Sequence, residues 1–181
     1  MKISEEQLIL HLQDKEKCHT AFRELVALYK ERLYWHIRNM VKDHNDADDV
    51  LQNTFIKIFN NIENFKGESR LFSWMYRIAT NEAINHLNNK AKNLKLSSEE
   101  LQEHIVGNLE SDVYFDGDEI QLKLQKAIAA LPEKQQLVFN MKYFEELKYK
   151  EISDILGTSE GALKASYHIA VKKVEDFLKG N

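Results

Sequence analysis

The residues best suited to chemistry lie in two successive helical patterns of opposite electrical character. Residues 43–63 contain five acids against one lysine, and Asp49 and Gln52 fall on a face away from the apolar residues. Residues 66–95 contain six lysines and arginines against two acids, together with several asparagines. The first helix therefore presents negative charge, whereas the second offers cations and amides. This pattern predicts two partners of different charge.

The acidic run at the start of the first pattern could bind a metal ion or begin a helix. His44 precedes Asp46, Asp48 and Asp49, but the spacing lacks the glycine and the terminal glutamate of an EF-hand loop. We interpret these residues as a cap and first turn, where carboxylates complement the helix dipole. The seven histidines are scattered, and no nucleophile, base and orienting group can be grouped. We therefore expect no enzyme activity, no metal and no other cofactor.

The second pattern, residues 71–92, has the period of an amphipathic helix. Its polar face carries Arg77, Asn81 and Asn85, and these side-chain types can hydrogen-bond a base edge. Amides alone are weak evidence for such a role. The break before this helix contains Gly67, which permits a backbone path close to a ligand.

Near the end of the chain, the sequence predicts a helix-turn-helix. A short helix over residues 149–156 is followed by Gly157 as a left-handed stop, and Ser159 caps a long helix over residues 160–179. In this geometry the second helix enters the major groove of DNA. Any helical hairpin can show the same pattern, so DNA binding and plain packing both stay open. The candidate DNA contacts on the long helix are Gly161, Lys164, Ala165, His168, Lys172 and Lys173, of which the last two would contact phosphates.

The elements that position these residues are predicted to be helices throughout. The chain has 181 residues with one proline and six glycines, and apolar residues recur at helical spacing nearly everywhere. Ser4 and Gln7 form a capping-box pattern before the first helix. Cys18 is the single cysteine, which excludes an internal disulfide, and no secretory segment or apolar run of about 18 residues occurs. We expect a cytoplasmic protein without direct membrane contact.

The net charge of −4 is unevenly distributed along the chain. Residues 97–119 contain eight acids and no lysine or arginine, whereas residues 1–96 and 120–181 each carry a net charge of +2. We predict an all-α fold of two small helical bundles, residues 1–96 and 120–181, joined by an acidic flexible linker. Because its acids repel one another, the linker should keep the bundles apart and exchange amide hydrogens quickly from about residue 106 to residue 118.

Taken together, the motifs of this sequence resemble those of bacterial sigma factors of the extracytoplasmic-function (ECF) type. The resemblance covers nearly the whole chain except the acidic segment, and its motifs follow the family order. Residues 46–55 (DADDVLQNTF) are similar to the segment that binds the clamp helices of RNA polymerase. Residues 65–69 (FKGES) and 72–81 (FSWMYRIATN) resemble the part that melts and reads the minus-10 promoter element. Residues 130–174 look like the domain that reads the minus-35 element.

The resemblance implies a specificity subunit that directs RNA polymerase to promoters. The implied partners are RNA polymerase core enzyme, promoter DNA and an anti-sigma factor that clamps both domains. In the family, the loop that matches residues 65–69 forms a pocket for a base turned out of the opened non-template strand. The implied polymerase-binding residues are Asp48, Asp49, Gln52 and Phe55. The implied minus-10 contacts are Lys66, Gly67, Ser69, Arg77, Asn81 and Asn85.

Several positions depart from the family pattern. Asn88 and Asn89 stand where arginines usually follow the promoter-reading helix, and Ser166 and Ile169 stand at positions of the recognition helix often filled by arginine. Fewer cations release fewer counterions, which weakens DNA binding by the free protein. This suits a subunit delivered to DNA by polymerase, but a decoy that sequesters an anti-sigma protein without starting transcription stays open. An ordinary helix-turn-helix repressor would leave residues 1–96 unexplained.

Overall fold

The computed structural model describes residues 4–109 and 118–180, and this part of the chain contains helices and turns but no strand. This confirms the all-α prediction. A 3-10 turn, Ile62–Asn64, follows the third helix. The α-helices in chain order are α1 (Glu5–Gln13), α2 (Cys18–Val41), α3 (His44–Asn61), α4 (Leu71–Leu94), α5 (Ser98–Gly107), α6 (Glu119–Ala129), α7 (Glu133–Tyr143), α8 (Tyr149–Leu156) and α9 (Glu160–Lys179).

Several helix ends form where local sequence signals predict them. Ser4 caps α1 in a complete capping box, and the Ser159 hydroxyl accepts a hydrogen bond from a backbone N–H in the first turn of α9. Gly157 ends α8 with φ of +65°, a conformation that residues with a side chain rarely adopt. Asp43 caps α3, its carboxylate accepting from the Asp46 N–H at 2.8 Å. The predicted helix-turn-helix is therefore present.

The first half of the chain packs α1 to α4 around one apolar core. Buried leucines and isoleucines recur at three- and four-residue steps in α2 and α3, as an amphipathic helix requires. Full burial of each such side chain contributes about 1.5–3 kcal/mol. The side chains without solvent exposure include Leu25, Leu33, Ile37, Ile58, Leu71 and Met75.

The second half packs α6, α7 and α9 around a smaller apolar cluster, with α8 against α7 and α9. Phe139 of α7 lies in this cluster together with Ala170 and Val174 of α9. This arrangement fixes the face of α9 that points inward and leaves its other face to solvent.

The two halves also pack against each other, because the main apolar core continues from α2 and α4 into α7 and α8. Leu137, Met141 and Ile152 belong to the same buried cluster as the core of the first half. The expectation that the acidic segment keeps the bundles apart is therefore wrong. The apolar faces of α7 and α8 also pack against α2 and α4, and the burial of this apolar surface outweighs the repulsion between the acids of the linker. Where the domain boundaries lie stays a prediction.

Part of the expected linker is a helix. Ser97 begins α5 in a capping box with Glu100, and Leu101, Ile105 and Val106 of this helix are buried. Leu109, which follows this helix, is also buried. Flexibility and fast amide exchange from residue 106 stay a prediction. The rest of the acidic segment, residues 110–117, lies outside the described residues. None of the described helices combines the length and the low polarity that crossing a membrane requires.

Candidate partner and DNA interfaces

Helix α3 presents an acidic face to solvent. Asp49 and Gln52 are both exposed and lie one turn apart on this face. Asp48 is exposed beside them, and its carboxylate lies 3.4 Å from the ring of His44 one turn earlier. The predicted polymerase-binding residues Asp48, Asp49 and Gln52 are thus brought together on one rigid element.

Two neighbouring residues, Phe55 and Ile56, determine how much apolar surface this face exposes. Phe55 is half-buried, with its ring edge-on to Phe22 at a centroid distance of 6.2 Å, so the core holds much of its surface. Ile56 is 51% exposed and lies one turn beyond Gln52. Ile56 is not among the residues predicted to bind polymerase, although its spacing of seven residues from Asp49 places it on the same helical face.

Asp46 has a structural position, although it belongs to the same acidic run. Its carboxylate accepts a hydrogen bond from Lys90 of α4, so it joins α3 to α4. It is half-buried and does not lie on the open face.

Helix α4 carries the predicted minus-10 side chains on one exposed face. Arg77, Asn81 and Asn85 follow at four-residue steps and are all exposed. The Arg77 guanidinium is already engaged, because it donates to the backbone carbonyl of Asp154 in α8. A side chain predicted to contact the promoter is therefore bonded to the other half of the chain.

The loop before α4 is anchored at its start and open at its tip. Phe65 is buried, and its ring lies 5.2 Å from that of Trp74, which packs against the core as its spacing indicates. Lys66 and Gly67 are exposed, while Ser69 is half-buried. Gly67 has φ of +71° with open space around the position of a Cβ, so the backbone conformation, not crowding, requires glycine here.

Helix α9 presents its predicted DNA-reading residues to solvent. Five of these residues lie within the first four turns of α9 and are exposed: Gly161, Lys164, Ala165, His168 and Lys172. The structure therefore brings the predicted minus-35 set together on the outer face of the second helix of the helix-turn-helix.

Two of the lysines on α9 have neighbours that affect how they can meet DNA. Lys164 Nζ lies 5.6 Å from the ring centroid of Tyr149, a cation–π distance. Lys173 donates to the side-chain oxygen of Gln135 in α7 at 3.1 Å, although it is exposed. Lys172 makes no such contact with another described residue, which leaves its charge available to a phosphate.

A buried polar contact holds α2 against the loop between α7 and α8. His36 Nδ1 lies 2.8 Å from a carboxylate oxygen of Glu145, and Nε2 lies 2.9 Å from the hydroxyl of Thr80 in α4. The Thr80 hydroxyl donates to the carbonyl of Tyr76, so Nε2 is the donor in the His36–Thr80 bond. Burial, and then the Glu145 carboxylate, raise the pKa of Tyr76.

A second polar contact between the halves involves a buried lysine. Lys42 ends α2 with φ of +57°, and its ammonium group donates to the Asn39 carbonyl at 3.0 Å and to the side chain of Gln125 in α6 at 2.6 Å. Burial, and then the charge of Arg38, lower the pKa of Lys42 to about 8. This ammonium group is therefore held in its charged form at neutral pH against the effect of its surroundings.

Comparison with known families places these surfaces in two recognised regions. The family description Sigma-70 region 2 matches residues 25–93, and Sigma-70, region 4 matches residues 121–174. The first match contains the acidic face of α3, the loop at residues 66–69 and the polar face of α4. The second contains the helix-turn-helix and most of α9.

Two relatives and two solved structures are similar to the chain over most of their lengths. The ECF RNA polymerase sigma factor SigW of Bacillus subtilis (strain 168) is 30% identical over 169 residues, which cover 86% of this chain and 88% of that protein. The RNA polymerase sigma-H factor of Pseudomonas aeruginosa is 28% identical over 183 residues, which cover 97% of this chain and 94% of that protein.

The solved structure of CnrH in complex with the cytosolic domain of CnrY has the same fold, with a TM-score of 0.69 at 20% identity over 96% of this chain and 97% of that chain. The sigma factor RpoE, in complex with the anti-sigma factor NepR from Bartonella quintana, gives a TM-score of 0.65 at 18% identity over 87% of this chain and 96% of that chain. With both regions matched and SigW similar nearly from end to end, the chain belongs to the ECF sigma factors, which direct RNA polymerase to promoters.

Proposed function

We propose that this protein docks on RNA polymerase core enzyme through the α3 face that contains Asp49 and Gln52. The observation that carries the proposal is that both side chains are exposed and form no hydrogen bond to another described residue. A carboxylate and an amide on a rigid helix, with Ile56 beside them, can contact a cationic surface that also has apolar area. Polymerase would supply all catalytic chemistry, and the sigma factor would have none of its own. Because polymerase acts on the chromosome, we expect this protein in the cytoplasm.

The two halves would then divide promoter reading between them. The polar face of α4 and the loop at residues 66–69 are suited to the minus-10 element, since arginine, asparagine and hydroxyl side chains hydrogen-bond bases and phosphates. The exposed face of α9 is suited to the minus-35 element in the major groove. Few cations lie on either surface, so polymerase has to contribute much of the affinity for DNA.

A protein partner that blocks these surfaces is part of the proposal. Solved relatives of the same fold are in complex with the cytosolic domain of CnrY or with the anti-sigma factor NepR. We extend that class of partner, an anti-sigma factor, to this chain.

The test is transcription in a purified system. Core polymerase, the protein and fragments of genomic DNA are combined, and transcript start sites are mapped with and without the protein. We expect new start sites that share elements near minus 10 and minus 35. A protein that binds an anti-sigma factor but neither binds core polymerase nor creates any start site would be a decoy, and the proposed function would be wrong.

A further inference from the structure

Helix α1 lies outside both matched family regions, since the first of them begins at residue 25. Leu8 and Leu12 are buried and hold α1 against the core of the first half. The helix contacts α2 and the turn Ile62–Asn64, which leads into the loop at residues 66–69. Its two ends carry polar side chains that reach this loop.

Gln13, the last residue of α1, bonds to the start of the loop. Its side-chain Nε2 donates to the carbonyl of Phe65 at 2.9 Å and to the carbonyl of Ile62 at 3.4 Å. The Phe65 N–H also donates to the Ile62 carbonyl at 3.1 Å. One amide group from a distant helix therefore joins the two carbonyls on either side of the turn.

Glu5, at the other end of α1, bonds to the end of the loop. Its carboxylate accepts from the N–H of Leu71, the first residue of α4, at 3.3 Å. Arg70, which precedes α4, gives that helix no side-chain cap, so Glu5 satisfies a donor that the helix itself leaves free. Glu5 also lies close enough to Tyr29 to contribute, after burial, to the raised pKa of that phenol.

The tip of the loop has no comparable support of its own. Lys66, Gly67 and Glu68 are exposed, and the side chains at positions 66–69 form no hydrogen bond within the part of the chain that the structure describes. The position of the tip therefore depends on its two ends, and α1 bonds to both.

We propose that Gln13 and Glu5 are positioning residues for promoter reading, and this rests on the proposed function of the loop in reading the minus-10 element. By fixing both ends of the loop, α1 keeps residues 66–69 in one position relative to Asn81 on α4. Taking a base out of the stack costs free energy, which a pocket returns only while its hydrogen-bonding groups stay in place. We call the hydrogen bonds of Gln13 and Glu5 to the two ends of the loop the brace. Loss of the brace should therefore reduce discrimination between bases and leave polymerase binding intact.

The experiment compares three replacements of the brace with a matched control. Gln13→Met keeps the length of the side chain but removes the donor, whereas Gln13→Lys keeps a donor at similar reach. Glu5→Ala removes the acceptor of the Leu71 N–H. Glu6→Ala is its control, because Glu6 is an exposed acid in the same helical turn without a bond to the loop. Initiation rates are measured on a responsive promoter and on versions with each minus-10 base changed, and core binding is titrated separately.

Gln13→Met and Glu5→Ala are expected to lower minus-10 discrimination, by about tenfold where the two Gln13 bonds are lost. Gln13→Lys and Glu6→Ala should behave like the wild type, and core affinity should stay within about twofold throughout. Unchanged discrimination in Gln13→Met, or an equal loss of core affinity, overturns the proposal. If the wild type starts no transcription, the proposed function fails. Amide exchange at residues 65–71 then tests whether the brace holds the loop in place, and equal exchange in the wild type and in Gln13→Met overturns the proposal.

Discussion

His36 and Glu145 meet across the boundary between the two halves, with Nδ1 2.8 Å from a carboxylate oxygen although 109 residues separate them in the sequence. His36 is 1% exposed, so this contact is shielded from water. In the same interface, Arg77 of α4 donates to the Asp154 carbonyl of α8. Arg77 must therefore leave α8 before it can contact promoter DNA, and the His36–Glu145 contact opposes that separation.

Replacing Glu145 with Ala is expected to loosen the contact between the halves. The change leaves His36 without the partner of its Nδ1, and a buried polar group left without its hydrogen-bond partner costs about 1–3 kcal/mol if the site stays closed. Opening the interface avoids that cost, because water can then solvate the imidazole. We expect a larger radius of gyration in solution scattering and faster amide exchange in α8.

Glu146→Ala is the matched control, since Glu146 is the next acid in the same loop and is exposed. It should leave scattering and exchange unchanged. The loosened Glu145→Ala variant should also bind single-stranded minus-10 DNA more tightly than the wild type does, because Arg77 is released. If scattering and exchange match the wild type, His36 and Glu145 do not hold the halves together.

The buried Lys42 makes stability rise with pH. In the unfolded chain Lys42 keeps its proton up to about its ordinary pKa of 10.5, whereas in the folded protein burial lowers the pKa to about 8. Between these values the unfolded state binds more protons, so the free energy of unfolding increases as pH rises. The contribution should be about 2 kcal/mol between pH 7 and 9.5. Urea denaturation at these two pH values measures it.

Lys42→Met should remove this increase, because Met fills the space of the lysine stem without a titrating group. Lys126→Met is the control, because Lys126 is exposed on α6. The free energy of unfolding of this variant should still increase with pH. A rise of equal size in Lys42→Met and in the wild type would assign the pH dependence to another group.

The acidic face of α3 should be required for polymerase binding. We expect Asp49→Ala combined with Gln52→Ala to abolish co-purification with core enzyme while helical content stays the same, since neither side chain supports the fold through a hydrogen bond to a described residue. Glu119→Ala combined with Gln121→Ala removes a similar exposed acid and amide from α6 and should leave binding intact. Normal core binding by the Asp49 and Gln52 variant would exclude this face.

The recognition helix makes two separable contributions to DNA binding. Lys172→Ala should weaken binding to all sequences alike and reduce the salt dependence, by about one unit of the logarithmic slope. Lys164→Ala should cost about 1–3 kcal/mol at one base position if Lys164 contacts a base edge. Both are measured on cognate and scrambled minus-35 elements, with the exposed Lys179 as the control position. Equal losses on both sequences for both variants would reduce α9 to a phosphate contact.

Local patterns in the sequence predicted the helices and their ends better than the contacts between distant segments. Gly157 and Ser159 specify the helix-turn-helix from their own neighbours, because caps and stops act within one turn. The exposure of Asp49 and Gln52 followed from the same helical period. By contrast, the contact of His36 with Glu145 depends on how two helical layers meet, and no local spacing encodes it. The charge of the acidic segment also hid the apolar face of α5, since Leu101 and Ile105 lie among acids.

The loop at residues 66–69 should determine minus-10 preference without affecting core binding. Its tip is exposed and belongs to the loop after the turn Ile62–Asn64, whereas Asp49 lies within α3, so its replacement should disturb the promoter surface alone. The replacement is the corresponding loop of a relative, with glycine kept at position 67 because φ there is +71°. We expect a changed ranking of promoters that differ at minus 10.

The physical reason is that turning a base out of the duplex costs a few kcal/mol, which the pocket must return through hydrogen bonds and shape. Lys66 is suited to a phosphate, whereas Ser69 and Asn81 are suited to the base. As a control, positions 160–162 at the start of α9 are exchanged for the corresponding residues of a relative. This change should alter the recognition of the minus-35 element and leave the minus-10 ranking unchanged. If the loop replacement leaves promoter choice as it is in the wild type, residues 66–69 form a plain turn between helices and the base pocket lies elsewhere.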